Sequence, residues 1–192
     1  TTESTGDHIT LGTADLEDAI TLSTTNTSNF TLDNVGQAVI LAAGTVNGAL
    51  SVTTSTSGTI TQTGALTVTG TATFTTEGNN QAITLSNGSN NFGGNVILST
   101  AGTSGNVTID NGTNALMLQG TVLGNLTVTN QGTIGDSDTL RVTGTSSFTT
   151  ESTGDHITLG TADLEEAITL NTFDTSNFTL DNVDQAVILA AG

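Results

Sequence analysis

Apolar and polar residues alternate along this chain in short runs. Examples are His8-Ile9-Thr10-Leu11, Asn29-Phe30-Thr31-Leu32, Ala38-Val39-Ile40-Leu41, Ala65-Leu66-Thr67-Val68-Thr69, Asn106-Val107-Thr108-Ile109 and Asn125-Leu126-Thr127-Val128-Thr129. A period of two sends successive side chains to the two faces of an extended strand, one buried and one in water. The apolar pairs Ile9/Leu11, Ile20/Leu22, Phe30/Leu32, Val39/Leu41 and Leu50/Val52 return about every ten residues. Between them lie turn-forming stretches such as Asp33-Asn34-Val35-Gly36-Gln37 and Asp110-Asn111-Gly112-Thr113-Asn114. The pattern predicts an all-β protein of many short strands.

The runs are also copies of one another. Residues 1–44 match residues 149–192 at all but five positions, an offset of 148. A weaker match at half that offset, 74, aligns the segment 66–85 with 140–159, and Thr-Thr-Glu recurs at 1–3, 75–77 and 149–151. The unit therefore runs from one Thr-Thr-Glu to the next, in two alternating variants. Short, evenly spaced strands with near-identical turns suit a parallel β-helix, in which each strand pairs with its counterpart one coil away. A coil of about 18–25 residues gives roughly three or four coils per unit. An antiparallel sandwich accommodates the strands but supplies no reason for a 74-residue unit. The expected organisation is one continuous solenoid over 1–192, made of a partial repeat 1–64, a full repeat 65–138 and a partial repeat 139–192. Because the chain starts on Thr1 and both ends fall inside the unit, it reads as a window on a longer array.

Composition narrows the chemistry. Pro, Cys, Trp and Tyr are absent, and Arg141 is the one Lys or Arg against 18 acids, a formal net charge of −17. A chain without Pro can donate every strand N–H to a ladder. The negative charge argues against nucleic-acid and anionic-membrane partners, and no apolar run is long enough for membrane insertion. Without Cys there are no disulfides, zinc–thiolate sites or thiol catalysis.

The segments Gly124-Asn125-Leu126-Thr127-Val128-Thr129 and Gly48-Ala49-Leu50-Ser51-Val52-Thr53, with their continuations to Phe148-Thr149-Thr150 and Phe74-Thr75-Thr76, resemble the repeats of filamentous-haemagglutinin-like and other giant β-strand-repeat surface proteins of bacteria. The resemblance spans almost the whole chain. It implies a right-handed parallel β-helix, export to the cell surface, and a role in adhesion or extracellular scaffolding.

Candidate sites are few. The stretch Glu3–Glu17 recurs unchanged at Glu151–Glu165 and brings an Asp-His pair, Asp7-His8 and Asp155-His156, next to further acids. Gln81 and Ala82 hold those places in the middle unit, so each His reads as an exposed turn residue beside a strand rather than as half of a catalytic pair. Asp15, Glu17 and Asp18, with Asp163, Glu165 and Glu166 in the second copy, are candidate calcium ligands, because clustered carboxylates offer hard oxygens. The turns around Asp33-Asn34 and Asp181-Asn182 could add more. Neither an EF-hand spacing nor the calcium-binding nonapeptide of β-rolls is present, and calcium is the one cofactor these acids suggest. Outward Thr67, Thr69, Thr127, Thr129 and Thr53 beside Ser51 would stack into hydroxyl ladders like those of ice-binding proteins. The bland alternative is that Thr is a good solvent-facing strand residue. Phe74/Phe148 and Phe30/Phe178 read as stacked core positions.

The expectation is a non-enzymatic structural module of an extracellular bacterial fibre or giant surface protein, a rigid rod or filament. Its partners would be further copies of the repeat, in one longer chain or end to end. The alternatives are an adhesin segment binding a cell or polymer surface and an ice-binding or calcium-dependent solenoid.

Overall fold

A computed structural model describes residues 6–183 and 185–190. The described chain is all β: 19 strands and no helix, wound as a parallel solenoid of about eight turns. A nine-stranded wall runs from Ile9–Ala14 to Phe178–Asn182, every strand bonded in parallel to those one coil before and after. A seven-stranded wall runs from Val39–Leu41 to Ile168–Asn171. A shorter third wall holds Gly44–Val46, Leu66–Val68 and Asn91–Phe92. At ~4.8 Å per coil the stack is on the order of 40 Å tall.

Alternation in the sequence becomes alternation of burial. Leu126, Val128 and Asn130 point inward from Leu126–Asn130 while Thr127 and Thr129 face out. The inward residues form one continuous core that includes the fully buried Phe74, Phe92 and Phe148. The Phe74 and Phe92 rings meet edge to face, centroids 5.8 Å apart. The Ala19–Leu22 run is shorter than its pattern suggests. Ile20 and Ser23 make only isolated bridges, whereas the second copy forms the strand Ile168–Asn171.

Coils differ in length. Partners one coil apart are separated by a sequence offset of 18 at Leu118↔Asp136 and of 24 at Ala72↔Val96. From Ile9 the partners run Phe30, Leu50, Ala72, Val96, Leu118 and Asp136, and the strand holding Asp136 pairs with Ile157–Leu164. Those are seven steps, so the 148-residue repeat spans seven coils and the 74-residue unit spans three and a half. Successive units are thus out of phase by half a coil. Ile60 lies in the seven-stranded wall and its equivalent Ile134 in the nine-stranded one. Ala72 and Phe74 lie in the nine-stranded wall, Ser146 and Phe148 in the seven-stranded one. The expected stacking of Phe74 with Phe148 is corrected accordingly: both are buried, on different walls.

The cross-section adapts to this shift. Beyond Phe92 the third wall ends, and bent strands of the nine-stranded wall take its place. Leu116–Val122, Ile134–Val142 and Ile157–Leu164 each contain a register break, after which Leu140 and Val142 take the part of their equivalents Leu66 and Val68.

Glycine two residues ahead of a strand marks the tightest corner. A Cβ on Gly94 would sit 2.6 Å from the Gly70 carbonyl, and one on Gly70 would sit 2.8 Å from Gly48. Backbone lies against backbone there, with no flexible side chain to yield. Gly94→Ala should therefore cost about 1–3 kcal/mol, read as a lowered urea midpoint, while Thr73→Val on the outward face of a neighbouring strand should shift it little.

Candidate functional site

Each coil is also tied to the next by side chains that accept its backbone N–H groups at the strand entrances. The residue just before a strand accepts from its counterpart one coil on: Asn29 Oδ1 from Ala49 N at 2.8 Å, Asn106 Oδ1 from Asn125 N at 2.8 Å, and Asn125 Oδ1 from Thr145 N at 2.9 Å. His8 and His156 occupy this same position. Nδ1 of His8 accepts from Asn29 N, and Nδ1 of His156 from Asn177 N, each at 3.0 Å. An imidazole with its proton on Nε2 presents an acceptor where an asparagine presents Oδ1. The repeated histidine is exposed, as its sequence context suggests, and it also serves as a rung.

A second set of amides lies inside the corners. Asn90, Asn111 and Asn130 are fully buried. Asn90 Oδ1 accepts from Leu66 N, and its Nδ2 donates to the carbonyls of Leu85 and Asp110. Asn111 Nδ2 donates to Phe92 O and Ala115 O, while Asn130 Oδ1 accepts from Asn111 N. Asn34 and Asn182 clamp the N–H and C=O of Leu16 and Leu164, where the ladder breaks register. These two asparagines lie in strands, not in turns, and their amides bind backbone. Sequence reasoning takes the Asn-rich stretches for solvated turns. The available signal is the recurrence of Asn or His immediately before an apolar strand.

The candidate calcium ligands lie at two places in the stack. Asp15, Glu17 and Asp18 lie together along one stretch of the first coil, all three exposed. In the second copy Asp163 lies 3.3 Å from Arg141 Nε, and Glu165 binds the same guanidinium through Nη2, so two of the three carboxylates are engaged by the chain's sole Arg. Glu166 is exposed. Among the described residues no three His, Cys, Asp or Glu side chains come together as a metal site.

Asp136 and His156 line one shallow depression together with Met117, Ser137 and Thr161. Asp136 accepts from Gly160 N at 2.8 Å, Thr161 N at 2.7 Å and the Thr161 hydroxyl at 3.1 Å. With His156 Nδ1 also engaged, both groups hold backbone. Burial raises the carboxyl pKa of Asp110 above its ordinary value; a hydrogen bond from Gly112 N–H opposes this and the charge of Glu151 adds to it.

The fold and these polar ladders define a β-solenoid repeat protein. A family model described as repeats of unknown function (DUF5649) matches residues 27–99 and 104–190, and the chain belongs to that family. No curated protein and no solved structure matches it.

If His156 is a rung, His156→Asn should leave thermal stability within error of the parent. His156→Leu should lose about 0.5–1.5 kcal/mol, the worth of one hydrogen bond. Calorimetry of the pair checks this; equal losses in both would show that the ring matters for something other than Nδ1.

Proposed function

We propose that this chain is a structural module of an extracellular bacterial fibre or giant surface protein, a rigid rod of the kind that filamentous-haemagglutinin-like repeats build, with no catalytic role. The observation that carries this reading is the uninterrupted parallel pairing of the nine-stranded wall over one continuous core. Such a stack resists bending because each coil is bonded to two neighbours along the axis.

The proposed partner is a further copy of the repeat. Phe30, Val39 and Leu41 are 4%, 2% and 0% exposed beneath the coil carrying Leu50 and Ile60, whereas their sequence equivalents Phe178, Val187 and Leu189 are 50%, 51% and 59% exposed. The first set lies beneath a covering coil, and a coil of the 44–68 type would bury the second set as it buries the first. Exposed β edges with apolar side chains favour such stacking.

Antibodies raised against the peptide 124–138 and applied to intact cells of the source organism test the location. Gold label along external fibres or sheaths is expected; label found only after the cells are opened would contradict it.

A further inference from the structure

The half-coil phase has a consequence for the outer surface. On the seven-stranded wall, outward Thr127 and Thr129 pair with Ser147 and Thr149, which pair in turn with Thr169 and Asn171. Their sequence counterparts lie on the nine-stranded wall, where Ser51 and Thr53 pair with Thr73 and Thr75 and Thr75 pairs with Ser99. One hydroxyl ladder is thus displayed on two different walls of the same rod, three and a half coils apart, or about 17 Å along the axis at ~4.8 Å per coil.

Charge enters one of these ladders and not the other. None of the seven strands of the seven-stranded wall contains a charged residue. On the nine-stranded wall the columns are mixed: Asp33 pairs with Thr53, Ile97 pairs with Thr73, and Thr121, next after Ser99, pairs with Arg141. The net charge of −17 makes two copies repel at most other approaches. The seven-stranded wall is where like rods can meet without bringing carboxylates together, and each Thr offers a methyl group to bury beside a hydroxyl to pair.

We propose that the seven-stranded wall is a lateral contact surface, through which a repeat array lies side by side with a second copy of itself. Seven strands at ~4.8 Å spacing and three to five residues of width give roughly 350–550 Å² per copy. A stable pair needs about 800 Å² per partner. One chain of this length therefore falls short, and the contact becomes effective when it repeats along a longer array.

The proposal rests on the rod reading above, and one experiment separates them. The 192-residue chain is compared with tandem arrays of two and four copies of residues 45–192 by analytical ultracentrifugation across a salt series, and by negative-stain imaging. The single chain should stay monomeric. The four-copy array should associate side by side at least about 100-fold more tightly, and more tightly still as salt screens the carboxylates. Placing Thr127→Glu with Thr149→Glu in every copy should abolish the pairing, while Thr103→Glu in an exposed turn should not; circular dichroism confirms that each variant folds. Arrays that remain single rods at all lengths and salts would overturn the lateral contact and leave the rod intact. Pairing that survives Thr127→Glu with Thr149→Glu, or arrays that bind a neutral glucan but not one another, would overturn it as well. Round particles whose length does not grow with copy number would overturn both.

Discussion

Every coil must return its backbone to hydrogen-bonding distance of the one before, in parallel register, after each circuit of the core. The remaining features of the molecule follow from that closure. A Pro in any interior strand would remove a ladder donor, and the chain has none. Corners where successive backbones nearly touch accept only Gly, as at Gly48, Gly70 and Gly94. Where the path between walls changes length and the ladder slips, backbone groups would be buried without partners, at a cost of about 1–3 kcal/mol each. Asn34, Asn90, Asn111, Asn130 and Asn182 supply those partners.

This arrangement explains which parts of the architecture were legible in the residues. Strand positions follow from alternation because one face of each strand is buried, and a parallel stack follows from units that repeat without Pro. The phase of the repeat was hidden. Identical segments suggest identical places in the fold, yet Phe74 and Phe148 face the core from different walls, because single coils differ in length and only their sum sets the phase. The inner asparagines were hidden for a related reason: Asn is equally at home in a solvated turn, and only burial distinguishes the two. The histidines stood out in the sequence because they are chemically versatile. Their contribution here is the acceptor that Asn provides elsewhere.

The acids show how a segment is completed by its neighbour in a stack. Asp163 and Glu165 hold Arg141 from the preceding coil. A motif in a solenoid is completed by the coil beside it, so site chemistry cannot be assigned from a repeat in isolation. The surface is likewise a property of the stack: hydroxyl columns exist only because Thr127, Ser147 and Thr169 come into register, each a full coil of chain from the next.

The in-register stack with its half-coil phase is tested most directly by paired cysteines, in a chain that has none of its own. Cα atoms of in-register neighbours lie ~4.8 Å apart, within the ~4.4–6.8 Å that a disulfide spans. Thr127→Cys with Ser147→Cys should cross-link on mild oxidation. Thr73→Cys with Ser147→Cys, which joins sequence equivalents one unit apart, should not. A cross-link in the second pair with none in the first would mean that the repeats are stacked like upon like, and would contradict the account.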